Sequence, residues 1–348
     1  MDIGRSALSR PDVALGLDLG ASILLVGQSG FDGPVINALP SLGRWHAVDA
    51  LPTLALSPHL LAELLRNERL PPERVGACVA VPAWFGLAER HDVAEHVAEV
   101  SLGVARSMMV ATPVCLALST FDQPPRMRTA VLAVDARVGC GVSIVSIDEG
   151  QVVELGAAGV APAHRRDLGD LVYRVFDRAA RQGIHGFADL SAMVVLSSDD
   201  DRDTIVRELL QLVGADGPLL ILANEDAVAR GAVLLGNAST SAWHPIVSGG
   251  LLHAIGVGSD GAALVEANAF VPVSRRRTIG VPEGHDAIAL VELRPTEFEA
   301  GVAGRIVAEA VLARGVRPDE PVELTVAIGV DGRTAVSPSD RWSLRLPP

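Results

Sequence analysis

The stretch that decides the fold is Val75 to Leu102, VGACVAVPAWFGLAERHDVAEHVAEVSL. It opens with Val75 to Val81, a short apolar run rich in β-branched residues and closed by Pro82, which predicts a buried strand. Ala83 to Gly86 make a turn. From Leu87 the period changes: Val93, Val97 and Val100 fall three and four apart, with Glu89, Arg90, Asp92, Glu95, His96 and Glu99 between them. That spacing predicts an amphipathic helix, and Gly103 supplies its stop. A second strand at Ser107–Ala111 and an alanine- and leucine-rich helix opened by Pro113 complete a strand–helix–strand–helix unit.

Upstream, Leu15 to Gly20 (LGLDLG) is an apolar strand ending in Asp18 and Gly20, Ala21-Ser22 turn, and Ile23–Val26 run back. Successive backbone N–H groups in such a turn can point at one phosphate, and the neighbouring carboxylate can hold a hydrated magnesium ion. An ordinary hairpin carries the same residues. Ser57-Pro58 starts a helix with Leu60, Leu61, Leu64 and Leu65 on its buried face, and Pro71-Pro72 end it.

Downstream the order of elements repeats. Thr129 to Asp135 is a strand ending in a carboxylate, Gly139-Cys140-Gly141 turn, and Val142–Ile147 lead through Asp148-Glu149-Gly150 into Gln151–Leu155. A helix follows at Leu168–Gln182, then a strand at Met193–Leu196, a polar loop at Ser197–Asp201, a helix at Asp203–Val213 and a strand at Leu219–Leu222. A last helix starts at Glu225, with Asn224 as its cap and Gly231 allowing close packing. From Ser241 the pattern turns to strand-length alternation at Leu251–Val257, Ala262–Glu266, Val271–Val273, Ala287–Leu293, Val322–Ile328 and Thr334–Ser337. The expected division is an α/β domain over 1–240, a linker over 241–250 and an all-β module over 251–348.

Composition narrows the classes. The 348-residue chain is 49% hydrophobic and 20% charged, a globular balance, and every apolar run is interrupted before it reaches spanning length. A net charge of −13 argues against sequence-independent nucleic-acid binding. Cys78, Cys115 and Cys140 are odd in number and scattered, which suggests a reduced, cytoplasmic setting, and the interrupted apolar runs lead to the expectation of no membrane association. The chain contains no lysine, so every basic side chain other than His is arginine.

The phrase VAVPAWF, with ER shortly after it, resembles the first connecting segment in the nucleotide domain of the 70-kDa heat-shock (DnaK-type) chaperones, members of the actin-like ATPase superfamily. LGLDLG lies where that family has its first phosphate loop, NEDAVARGA resembles its final nucleotide-domain helix, and FVPVSRRRTI and PVELTVAIGVDGRTAVS resemble its β-sandwich. The resemblance implies an α/β fold: a reduced, duplicated actin-like (ribonuclease H-like) ATPase domain followed by an antiparallel β-sandwich. It implies ATP or ADP with magnesium held by Asp18, Gly20, Ala21, Ser22, Asp135, Gly139, Gly141, Ser197 and Ser198, with Asp18 and Asp135 toward the metal. It also implies an extended or unfolded polypeptide as ligand, received by Ile255, Ile279, Ile288 and Leu290, and a co-chaperone as partner.

Departures from the family accumulate at the chemistry. Its paired threonines correspond to Ala21 and Ser22, its water-positioning glutamate to Thr112, and its lysine to nothing. The second loop reads DARVGCGVS, with one aspartate where the family has two, and the adenosine loop becomes Ser197-Ser198-Asp199-Asp200-Asp201-Arg202. The adenine-clamping subdomain shrinks to a short connector, and the family's helical lid has no counterpart before Pro348. Phosphoryl transfer needs metal, water and charge stabilisation together, so weak or lost ATP binding and hydrolysis is expected. Two functions follow: a chaperone-like holder of extended polypeptide, or a non-catalytic pseudo-ATPase scaffold. A small actin-like kinase is disfavoured by the β module. Asp199–Asp203, the Arg275-Arg276-Arg277 run and the pair His91 and His96 are read first as solvated surface.

Overall fold

The computed structural model describes residues 13–19, 25–30, 33–38, 47–48, 51–52, 75–87, 89–90, 93, 106–121, 125–162, 167–214, 217–236, 246–250, 253–257, 263–267, 269–281, 285–295, 302–313, 321–329, 334–338 and 340–345. Contacts divide the chain into two units, one of Met1–Trp84 with Val93–Val247 and one of Phe85–Asp92 with Ser248–Pro348.

In the first unit, β1 (Val13–Asp18), β2 (Leu25–Gly30) and β3 (Gly33–Ala38) form an antiparallel meander. A two-residue pair follows, β4 (Ala47–Val48) with β5 (Leu51–Pro52). Then β6 (Val75–Val81) joins β1 in parallel and β7 (Arg106–Ala111) joins β6 in parallel, giving the order β3-β2-β1-β6-β7. Helix α1 (Thr112–Leu118) leads into a second meander of β8 (Thr129–Ala136), β9 (Cys140–Ile147) and β10 (Gln151–Val160). Helix α2 (Leu168–Ala179), β11 (Ala192–Ser197), α3 (Asp199–Val213), β12 (Leu219–Leu222) and α4 (Ala227–Leu235) complete it. Strand β11 runs parallel to both β8 and β12, so five consecutive strands of this seven-stranded sheet read β10-β9-β8-β11-β12. Over those five strands the order and the strand senses are those of the first sheet.

Period-2 alternation explains why the central strands are apolar throughout. On β8, Val131 and Ala133 face the cluster with Val114 and Leu118 of α1 and Val228 and Ala232 of α4. Leu132 and Val134 face the opposite cluster, with Leu171 and Val175 of α2 and Ile205 and Leu209 of α3. Helix packing is close where glycine permits it. A Cβ at Gly231 would stand 1.9 Å from the carbonyl oxygen of Cys115, and one at Gly16 would stand 2.5 Å from that of Ala229. The expectation that Gly231 lets its helix approach is met by that contact with α1.

Several boundaries differ from the sequence reading. The polar loop expected at Ser197–Asp201 is helix from Asp199 on, because three aspartates in a first turn complement the helix dipole. The helix expected from Glu225 begins at Ala227, and Asp226 pairs with Arg230 at 2.7 Å. Within the expected linker, Ile246–Gly250 is strand β13, whose Gly249 and Gly250 pair with Val271 and Phe270; the boundary between units falls inside it. Of the helix expected from Leu87, the described Leu87, Glu89, Arg90 and Val93 are helical; the helix expected after Ser57 lies outside the described residues.

The second unit holds β14 (Ala254–Val257), β15 (Ala263–Val265), β16 (Phe270–Val271), β17 (Val273–Ile279), β18 (Ala287–Pro295), β19 (Val302–Leu312), β20 (Val322–Ile328), β21 (Thr334–Ser337) and β22 (Trp342–Arg345). Two antiparallel sheets, β15-β14-β18-β19-β22 and β17-β20-β21, share one apolar cluster. Trp342 is fully buried there and donates its indole N–H to the Glu323 carbonyl at 2.9 Å. Among the described residues no helix is long and apolar enough to cross a membrane.

Candidate functional site

Asp18 ends β1 and Asp135 lies one residue from the end of β8, at equivalent places in the two sheets. Both carboxylates are buried, at 0% and 5% exposure. Between them stands Arg137, in the turn after β8. Its Nε and Nη2 donate to the two oxygens of Asp135, each at 2.9 Å. Its Nη1 and Nη2 donate to Asp18, at 2.7 and 3.3 Å. One planar guanidinium therefore forks onto both carboxylates, the geometry in which arginine binds carboxylate most strongly.

Burial is the largest influence on Arg137 and pulls its pKa down, but the charges and hydrogen bonds of Asp135 and Asp18 outweigh it and raise the pKa above the ordinary value. The group is a permanent cation. Among the described residues no cluster of three or more His, Cys, Asp or Glu forms. A magnesium ion offered Asp18 and Asp135 would meet a fixed positive charge already bonded to both, so the residues present do not fit a metal-bound phosphate in the expected manner.

The glycines of the second loop have an occupant too. Gly139 has φ +69, and a Cβ there would lie 2.4 Å from the Val160 carbonyl oxygen and 2.9 Å from Trp84 Nε1. A Cβ on Gly141 would stand 2.5 Å from Ala83 Cβ, and one on Gly159 would stand 2.7 Å from the Trp84 nitrogen. Trp84 donates its indole N–H to the Val138 carbonyl at 3.1 Å. Gly139 thus leaves room for the Val160 carbonyl and the Trp84 indole, Gly141 for the Ala83 side chain, and Gly159, on β10, for the Trp84 backbone.

The remaining expected nucleotide residues divide. Gly20, Ala21 and Ser22 lie outside the described residues. Ser197 ends β11 next to Ala136 in register, and its buried hydroxyl has no hydrogen-bond partner. Ser198 precedes α3 in extended conformation and makes no side-chain cap bond. Thr112 is buried at the start of α1.

Of the expected polypeptide-contacting residues, Ile255, Ile288 and Leu290 are 1%, 6% and 0% exposed within the cluster of the second unit, and Ile279 packs partly buried against it. They are core residues of the two sheets. The same cluster contains Leu87, 3% exposed, whose backbone N–H donates to Glu292 Oε1 at 2.7 Å.

Sequence reasoning missed Arg137 and Glu292. The signals were present: an arginine inside a glycine-bearing loop of a lysine-free chain, and a carboxylate continuing the inward stripe Ile288, Leu290 on one strand. The three cysteines are buried and form no disulfide, with Cys78 on β6, Cys115 on α1 and Cys140 on β9. A hydrogen bond to Cys78 and burial push the Cys115 thiol up, away from the reactive thiolate. Neither a protein-family model nor a curated protein matches the chain.

Proposed function

We propose that the chain is a heat-shock-chaperone-like interaction module: a reduced actin-like domain that does not turn over nucleotide, joined to a β-sandwich that holds polypeptide. The observation that carries the non-catalytic part is Arg137, bonded at once to Asp18 and Asp135. In an actin-like site those two carboxylates would face metal and phosphate. Here an internal cation neutralises them and is held by four side-chain hydrogen bonds. Opening that arrangement for a metal nucleotide would leave a guanidinium desolvated and unpaired, which is costly in a buried site.

Two features support the architectural part. The five-strand order of the first sheet recurs within the seven-stranded second sheet, as an internally repeated actin-like domain requires, and α1 and α4 pack against each other through Gly231. Polypeptide holding is supported by the sequence resemblance of the second unit and by its apolar cluster, which already accepts a leucine from a distant segment of the chain.

Calorimetric titration of the full chain with ADP and with ATP in magnesium tests this reading. The expected result is no saturable heat. Tight, saturable binding that disappears in Asp18→Ala would replace the pseudo-ATPase by a nucleotide-regulated chaperone.

A further inference from the structure

Glu292 stands on an inward-facing stripe of β18. Ile288, Leu290 and Glu292 alternate on one face of the strand, all nearly fully buried, and Glu292 lies opposite Ile255 on β14. A carboxylate in that position is costly unless hydrogen bonds compensate it. A compensating donor comes from 205 residues away: the backbone N–H of Leu87 bonds to Glu292 Oε1 at 2.7 Å, while the Leu87 side chain joins the surrounding apolar cluster. The segment is shaped to present that residue. Glu89 Oε2 accepts the Gly86 N–H at 3.0 Å, and Arg90 donates its Nε–H to the Phe85 carbonyl at 3.3 Å and its backbone N–H to that of Gly86 at 3.1 Å. Leu87 is helical, so its N–H belongs to a first turn, whose donors need an outside acceptor.

We propose that Glu292 and the apolar cluster around Ile255, Ile288 and Leu290 form a binding site for a polypeptide segment that offers an aliphatic side chain and its own main-chain N–H together, and that Phe85–Asp92 is its resident occupant. The carboxylate selects the main chain and the cluster selects the side chain. An incoming segment of the same chemistry competes with Leu87 for one seat, so the chain regulates its own access. This rests on the reading of the second unit as a polypeptide holder.

The probe is a labelled peptide of residues Phe85–Asp92, FGLAERHD, with a control in which its leucine is serine. Fluorescence anisotropy is read on the unmodified full chain and on full-chain Leu87→Ser. The expected result is binding to the Leu87→Ser chain at least about tenfold tighter than to the unmodified chain, with the control peptide bound by neither. A folded Leu87→Ser chain that gains no affinity overturns the proposal. Equal binding of an unrelated leucine-rich peptide by both chains also overturns this seat but keeps the holder reading, whose nucleotide part is judged separately by calorimetry. Should Leu87→Ser fail to fold, amide exchange at Leu87 in the unmodified chain decides. Excess FGLAERHD is expected to accelerate it, and an unchanged rate overturns the proposal.

Discussion

Two places in this molecule invite comparison, one in each unit. At the first, Arg137 fills the space between Asp18 and Asp135; at the second, Leu87 fills the apolar seat beside Glu292. In both, a group of the chain stands where an outside ligand would be expected from the resemblance. The difference is in what removal leaves behind. Taking away a guanidinium removes the one charge shared by two buried carboxylates, whereas taking away a leucine side chain leaves a cavity and keeps the backbone N–H that Glu292 accepts. Electrostatic occupancy should therefore be nearly all-or-none, and apolar occupancy graded and exchangeable.

The largest expected effect sharpens that contrast. Arg137→Ala should destabilise the chain by about 3–5 kcal/mol at neutral pH, as breaking a buried ion pair does. Chemical denaturation gives the value, and a loss under about 1 kcal/mol would erase the distinction between the two places. Leu87→Ala should come next, at about 2–4 kcal/mol for a buried leucine that cannot fully collapse its cavity. A separately produced 248–348 fragment, which lacks Leu87, should then unfold at lower denaturant than the same unit within the whole chain.

Smaller effects bound the account. Trp84→Phe removes the donor to the Val138 carbonyl and should cost about 1 kcal/mol. Arg276→Ala breaks an exposed pair with Glu323, 3.5 Å apart on partners 69% and 52% exposed, and should change stability by less than about 0.5 kcal/mol. A large loss there would mean that surface charge, and not the buried seat, organises the second unit.

The parts legible in the sequence were those written in local periodicity. The apolar run at Val75–Val81, the meander from Thr129 and the pairing of Val322–Ile328 with Thr334–Ser337 all follow from alternation and turn residues. Asp18 and Asp135 were expected at one place from the resemblance, and they sit at the end of β1 and one residue from the end of β8. What fills the site was not, because Arg137 and Asp18 are 119 residues apart and nothing local states that a loop arginine turns inward. The Leu87–Glu292 contact was hidden for the same reason. Leu87 reads as the first apolar residue of an amphipathic helix, and its burial depends on a strand more than half the chain away. Ile255, Ile288 and Leu290 lie in one cluster with Ile279 packed against it, but alternation cannot tell an open groove from a closed core.

The central claim is that the Arg137 guanidinium stands in the place of a metal ion, and thermal unfolding of Arg137→Ala against added magnesium at constant ionic strength tests it most directly. A ligand that binds only the folded state raises its stability in proportion to the logarithm of its concentration above Kd. The account predicts that the variant, with Asp18 and Asp135 released, gains Tm as magnesium is added while the unmodified chain does not move. A saturable magnesium-dependent rise in the unmodified chain, with none in the variant, would contradict it.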